Sequence, residues 1–110
     1  MNTLRNKVQL IGNLGNDPEI INLESGKTLA KFAIATNESY KNSAGEKITD
    51  TQWHNVVAWG KTAQIIEKYV TKGQEVAIEG KLTSRSYEDK EGNKRYVTEV
   101  VCNELLMLSK

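Results

Sequence analysis

The chain has 110 residues, a formal net charge of +1, 38% hydrophobic residues and 26% charged residues. These values are ordinary for one soluble domain, and near-neutrality gives no argument for a nucleic-acid or membrane partner. The single cysteine, Cys102, excludes an internal disulfide framework, and no apolar run approaches the roughly 20 residues that span a bilayer. We expect a cytoplasmic protein without a signal peptide, with residues 1–110 forming a single domain.

Alternating apolar and polar residues predict five β-strands. The predicted strands are residues 5–14, 28–40, 51–59, 75–89 and 94–108. GNDPE (15–19) predicts a turn, because an Asp before the only proline favours one. The polar segment 41–50 is either a loop or a long hairpin tip, and KEGN (90–93) predicts a hairpin turn.

The apolar period changes after Gly60. In residues 61–73, apolar side chains recur at steps of three and four, which predicts a short amphipathic helix. Thr62 is the predicted cap at its start. Lys72 suits its last turn, and Gly73 can take a left-handed conformation at its end.

Three strands, one helix and two strands predict an all-β domain. Gly12 and Gly80 lie inside strands, where a bend or bulge is expected. Long bending strands with one helix between the third and fourth are typical of a small closed or partly open barrel. The five-stranded Greek-key version is the OB-fold, a fold that binds oligonucleotides.

The aromatic residues lie on adjacent predicted strands, among lysines and arginines. Trp53 and Trp59 are six residues apart in TQWHNVVAWGK (51–61), so they share one strand face. A flat ring can stack on an unpaired base, and a cation can neutralise a phosphate, so this pattern favours sequence-tolerant binding of single-stranded nucleic acid. The candidate stacking rings are Tyr40, Trp53, Trp59 and Tyr87, and the neighbouring cations are Lys41, Lys61, Lys81, Arg85 and Arg95.

Two other interpretations of the rings stay open at this point. A Trp in a strand is more often part of the core, and Val57 shares the face of both indoles. The rings can also form the centre of a protein-docking surface. Exposure of the indoles and a nucleic-acid binding measurement separate these alternatives.

Six segments together resemble bacterial single-stranded DNA-binding protein, in the same order along nearly the whole chain. The most specific are the WH–VV–aromatic–GK pattern and the IEG-x-L-x-x-R-x-aromatic block. The segments are LIGNLGNDPE (10–19), FAIATNESY (32–40), TQWHNVVAWGK (51–61), KYVTKG (68–73), VAIEGKLTSRSYED (76–89) and GNKRYVTEVV (92–101).

The resemblance implies an OB-fold homotetramer that wraps single-stranded DNA in replication, recombination and repair, in the bacterial cytoplasm and associated with the nucleoid. It places the stacking rings on Tyr40, Trp53, Trp59 and Tyr87, with Tyr40 and Tyr87 where relatives often have Trp. His54 falls near the contact between paired subunits. The implied phosphate-contacting positions are Lys7, Lys61, Lys72, Arg85 and Arg95.

The end of the chain departs from the family pattern. Many members continue into a disordered linker with a short acidic tip that recruits other enzymes, whereas this chain ends at LLMLSK. We therefore expect a short form that does not recruit partners through such a tip. A related alternative is a primosome-type accessory subunit, which is usually dimeric.

No motif supports an enzyme, a metal or a cofactor. SGKT (25–28) and WGKT (59–62) lack the first glycine of a phosphate-binding loop. His54 and Cys102 are the only residues of their types, without a further polar cluster for catalysis. YEDKEGNK (87–94) lacks the ligand spacing of a calcium loop.

Overall fold

The computed structural model describes residues 5–108, and the chain ends considered above, residues 1–4 and 109–110, lie outside the described residues. The described part folds into six strands and one helix. In chain order these are β1 (Val8–Leu14), β2 (Glu19–Asn22), β3 (Thr28–Lys41), β4 (Lys47–Trp59), α1 (Gly60–Tyr69), β5 (Glu75–Glu88) and β6 (Lys94–Met107).

Five of the strands close into a barrel. They follow the order β1-β5-β6-β4-β3, and β3 returns to pair with β1. The closing pairs are antiparallel between β1 and β3, at Leu14 and Ile34, and parallel between β4 and β6, at Val56 and Val100. The predicted all-β OB-fold barrel, with one helix between its third and fourth strands, is confirmed.

Alternation along the strands builds the core. On β3 the most deeply buried residues are Ala30, Phe32 and Ile34, and on β4 the buried residues include Val56 and Ala58. Successive strand residues point to opposite faces, so this parity is the inner face of the barrel. The helix packs against β3, β4 and β6. It adds further buried side chains to the core, namely Ala63 and Ile66.

The prediction of five strands missed β2, a short strand that follows the GNDPE turn. It pairs with β3 from Glu19 opposite Lys31 to Asn22 opposite Thr28. The connecting turn is closed by the Leu23 N–H, which donates to the Lys27 carbonyl at 2.8 Å. The two apolar residues of the β2 sequence EIIN are adjacent, so the segment lacks the alternation that indicates a strand.

The two long hairpins extend well beyond the barrel. The β3–β4 hairpin pairs continuously from Leu29 opposite Trp59 to Lys41 opposite Lys47, so segment 41–50 is the long hairpin tip. The β5–β6 hairpin ends in the predicted KEGN turn, where the Asp89 carboxylate accepts backbone hydrogen bonds from Glu91 and Asn93.

The helix is shorter than predicted, and its caps differ. Trp59 occupies the N-cap position without a side-chain hydrogen bond, so Thr62 does not cap the helix. The helix ends at Val70, which takes an extended conformation and is buried in the core. Gly73 does have a positive φ of 89°, but it and Lys72 lie in the turn that follows the helix.

The two strand glycines are places where backbones approach closely. The β5–β6 register shifts between Glu79 and Gly80, which confirms the bulge expected there. A Cβ on Gly80 would lie 2.0 Å from the Val101 carbonyl oxygen, so any side chain would force the strands apart. At Gly12 there is no register shift between β1 and β5. A Cβ there would lie 2.3 Å from the Ala35 carbonyl oxygen, where β3 closes the barrel.

Candidate nucleic-acid interface

Neither tryptophan is in the core. Trp53 is 61% exposed and Trp59 is 45% exposed. Both lie on the outer face of β4, because they have the opposite parity to the buried Val56 and Ala58. Val57 shares their face and is nevertheless buried, so that outer face is only partly solvated. The indoles are therefore available for contact with a flat ligand.

The Trp53 ring lies against the turn between β1 and β2. A Cβ on Gly15 would come within 2.4 Å of Cζ3 and 2.7 Å of Cη2 of the indole. That turn is tied to β3 by two hydrogen bonds: Gly15 N–H donates to the Ala33 carbonyl at 3.0 Å, and Ala33 N–H donates to Asn16 Oδ1 at 3.2 Å. The indole therefore packs directly on Gly15, which has no side chain to displace it, a role that the GNDPE turn pattern did not reveal.

Trp59 borders a groove on the same outer face. Its walls come from β3, β4, β5 and β6, which the barrel brings side by side. Lys31 and Arg85 supply positive charge to this groove, and Thr83 supplies a hydroxyl. Lys31 was not singled out in the sequence, because only the register of β3 against β4, Lys31 opposite Val57, places it beside the rings.

Three of the five predicted phosphate contacts are paired with carboxylates. The three ion pairs are Lys7 with Glu79 at 3.0 Å, Arg85 with Glu99 at 3.0 Å and Arg95 with Asp89 at 2.9 Å. The side chains of all three cations are open to solvent, so solvent screening weakens the pairs and a phosphate can replace the carboxylate. The sequence did not reveal these partners, since each cation and its carboxylate lie on different strands or across a turn.

These contacts also change the acidity of two carboxylates. The hydrogen bond from Lys7 lowers the pKa of Glu79, with a further contribution from Gln9. The hydrogen bond from Arg95 lowers the pKa of Asp89, followed by the Asn93 N–H. Both carboxylates are therefore negatively charged at neutral pH and hold their cations in place.

Lys61 and Lys72 lie at the two ends of the helix region. Lys61 is exposed in the first turn of α1, and Lys72 is exposed in the turn after the helix. The Lys72 backbone N–H donates to Asp17 Oδ1 at 2.8 Å, which fixes that turn beside the β1–β2 connection. Neither side chain forms an ion pair with another residue between 5 and 108.

The four predicted stacking rings do not share one surface. Tyr87 is opposite Arg95 and has the parity of the outer face, like both tryptophans. Tyr40 is opposite Ile48, so it projects from the other face of the β3–β4 hairpin, on the inner parity. Tyr40 and Tyr87 are 56% and 47% exposed.

His54 and Cys102 do not form a catalytic pair. His54 is half-buried, and its Nε2 lies 3.0 Å from the Thr36 hydroxyl. Burial raises the pKa of the Cys102 thiol to about 11, and the thiol donates to the Glu104 carbonyl at 3.1 Å. A thiol protonated at neutral pH is not a nucleophile. Across residues 5–108, no three potential ligands from His, Cys, Asp and Glu are grouped to hold a metal ion.

Comparison with known proteins decides the family. Residues 5–108 match the Single-strand binding protein family. The chain belongs to this family. It is 50% identical to Single-stranded DNA-binding protein 1 of Chlorobaculum tepidum over 94% of this chain and 64% of that protein. It is 44% identical to Single-stranded DNA-binding protein 1 of Xylella fastidiosa over 96% of this chain and 78% of that protein.

Solved structures of single-strand binding proteins have the same fold. The Plasmodium falciparum SSB complex with ssDNA superposes with a TM-score of 0.85 at 32% identity, covering 99% of this chain and all of that one. A deletion mutant of the Thermus aquaticus single-stranded DNA binding protein gives 0.81 at 25% identity, over 94% of this chain and 50% of that one. The resemblance inferred from the sequence motifs is confirmed.

The family is defined by binding rather than by catalysis, in keeping with the prediction that the chain is not an enzyme. The chain spans 64% of the length of its Chlorobaculum relative. Within residues 5–108 the one helix, α1, has ten residues and is too short to cross a membrane.

Proposed function

We propose that this chain binds single-stranded DNA without reading its sequence. Bases stack on Trp53, Trp59 and Tyr87 of the outer face and on Tyr40, and cations contact the phosphates. The observation that carries the proposal is the exposure of both indoles on the outer face, where Trp59 borders a groove with Lys31 and Arg85. Each stacked base contributes about 1–3 kcal/mol, and every base has a flat face, so the binding tolerates any sequence.

The phosphate contacts of this proposal come from Lys7, Lys61, Lys72, Arg85 and Arg95. Each neutralised phosphate releases counterions, so the logarithm of affinity falls with the logarithm of salt concentration by about 0.7 per contact on single strands. The biological role that follows is wrapping and protection of single-stranded DNA during replication, recombination and repair. Such a protein acts in the bacterial cytoplasm, on the nucleoid.

We also propose that the chain assembles as a homotetramer. Ile11 of β1, Ala77 of β5 and Leu106 of β6 lie in one row on the outer face, and Ile11 and Leu106 are 60% and 63% exposed. Among the described residues, β3 pairs with β1 only at Asn13 and Leu14, so the start of β1 pairs with β5 on one side and has no paired strand on the other. An open edge next to an apolar row is suited to a second copy.

His54 belongs to the proposed subunit contact. It hydrogen-bonds Thr36, whose Cγ2 lies 3.4 Å from where a Cβ on Gly12 of β1 would stand. The imidazole is therefore close to the open edge of β1. Mass measurement in solution tests the assembly: four subunits are expected, whereas two would favour the dimeric accessory-subunit alternative, and one would contradict assembly.

Fluorescence titration tests the binding itself. Oligothymidine should quench the emission of Trp53 and Trp59, and added salt should restore it. The Trp53→Ala variant should bind at least about fivefold more weakly, because one stacked base is lost, while its unfolding transition stays near that of the parent. Unchanged emission on adding DNA at low salt would contradict the proposal and favour a protein-docking surface. A variant that unfolds, but binds DNA normally per folded molecule, would show that Trp53 is a core residue.

A further inference from the structure

The β5–β6 hairpin carries an exposed ring that the proposed interface does not use. Tyr96 is 73% exposed, more than Tyr40, Tyr87 or either tryptophan. It pairs with Ser86, so its parity is that of the inner barrel face, opposite to Tyr87. Because this hairpin extends past the barrel, its inner face there is solvated and packs on no core.

A cation lies beside this ring. Lys94 Nζ is 5.5 Å from the centroid of the Tyr96 ring, within the range of a cation–π contact. The two residues share one face of β6, since they are two positions apart. The same face carries Glu88 opposite Lys94, and Ser84 and Thr98, whose hydroxyls are joined by a hydrogen bond at 3.2 Å. Closer to the barrel it carries the exposed Leu82. A ring, an ammonium group and hydroxyls match a base, a phosphate and a sugar.

The same end of the barrel carries a second ring on the inner parity. Val56 of β4 and Val100 of β6 are parallel partners, so both strands begin at the same end, where both hairpins project. Tyr40 lies on the inner parity of the β3–β4 hairpin, and Tyr96 on that of the β5–β6 hairpin. A single strand that contacts Tyr40 therefore leaves the outer face on which Trp53 lies.

We propose that Tyr96 and Lys94 form a further single-strand binding site, on the inner face of the β5–β6 hairpin. A base stacks on the Tyr96 ring, and Lys94 contacts the adjoining phosphate. The site extends the proposed single-strand binding to nucleotides beyond those on the outer face, and so it rests on that function. It reads no base, because stacking and phosphate contact are both sequence-tolerant.

Two ligands separate the new site from the outer face. The first ligand is a short oligothymidine, within the site size of about 4–16 nucleotides per OB-fold, and its binding is measured by the quenching of Trp53 and Trp59 emission. Poly(dT) covers both faces. Tyr96→Ala should leave the short-oligomer titration unchanged and weaken poly(dT) binding at least about fivefold, and Tyr96→Phe should restore it, because the ring is retained. Tyr69→Ala is the matched control, since Tyr69 is an exposed tyrosine on the helix.

The charge is tested separately. Lys94→Gln should reduce the salt slope of poly(dT) binding by about 0.7 per site occupied, while leaving the short-oligomer slope unchanged. An unchanged slope with poly(dT) would overturn the role of Lys94. This readout does not respond to a purely structural role of the residue in the hairpin.

The outcomes distinguish this inference from the proposed function. If the parent protein binds neither ligand, the function itself fails. If the parent binds poly(dT) and Tyr96→Ala binds it equally well, only the new site is overturned. A Tyr96→Ala variant that changes the subunit number, but not the poly(dT) affinity, would assign Tyr96 to a protein contact instead and would also overturn the proposal.

Discussion

Gly15 should affect DNA binding indirectly, through the position of the Trp53 indole. In Gly15→Ala, the new Cβ would stand 2.4 Å from Cζ3 of Trp53, whereas ordinary contacts begin at 3.4 Å. The ring must therefore retreat by about 1 Å. Gly15 does not have a positive φ, so alanine brings no backbone strain. The indole is exposed and can swing outward, so we expect the free energy of unfolding to change by no more than about 0.5 kcal/mol.

The loss of affinity can be estimated from the geometry. A gap of about 0.5–1 Å forfeits roughly a quarter to a half of a dispersion contact. If the displaced indole loses about half of a stacking energy of about 1–3 kcal/mol, binding weakens by about 0.5–1.5 kcal/mol, or roughly two- to tenfold. Larger side chains at this position should approach the full effect of removing the ring.

A double-mutant cycle is the decisive assay. Oligothymidine affinity is measured for the parent, Gly15→Ala, Trp53→Ala and the double variant. Because Gly15 is inferred to act only by seating the indole, its substitution should cost nothing once Trp53 is alanine. Thermal unfolding of all four proteins provides the control for stability. Additive losses of affinity would refute the reasoning, since Gly15 would then act on DNA by a route that does not include Trp53.

Two further predictions follow from the observed contacts. In Glu99→Gln, the group that accepts the Arg85 Nε–H bond at 3.0 Å loses its negative charge. Arg85 then exchanges more readily to phosphate, so oligothymidine should bind up to about fivefold more tightly, whereas Glu67→Gln on the helix should have no effect. Weaker binding would mean that the Glu99 charge positions Arg85 productively. For Cys102, whose burial raises the thiol pKa to about 11, iodoacetamide at pH 8 should label the unfolded protein far faster than the folded one; equal rates would contradict the burial.

The strands of the barrel could be predicted because each is long enough to show alternation. Residues 28–40 and 94–108 were predicted from that pattern and correspond to β3 and β6. The four-residue strand β2 was missed, because its pairing with β3 depends on a hairpin rather than on its own pattern. The helix was predicted to end at Gly73, four residues beyond its observed end at Tyr69, because Val70 is extended and fills the core instead of continuing the helix.

The rings of the candidate site could be predicted from the sequence, but their surroundings could not. Spacing alone placed Trp53 and Trp59 on one face, and their exposure excludes the core interpretation. Trp53 packs against Gly15, and Arg85 pairs with the Glu99 carboxylate; both contacts join residues far apart in sequence. Such contacts depend on strand register, because a slip of one residue would turn every side chain to the other face of the sheet.

The ion pairs also affect how binding responds to salt. A cation already paired with a carboxylate exchanges one anionic partner for another when it binds phosphate, so it contributes less to counterion release than an unpaired one. Arg85, with Glu99, therefore adds less to the salt slope than Lys61, which forms no ion pair within residues 5–108. In the proposed binding mode, Lys61 and Lys72 at the two ends of the helix region should therefore contribute more to the salt slope than the paired Arg85 and Arg95.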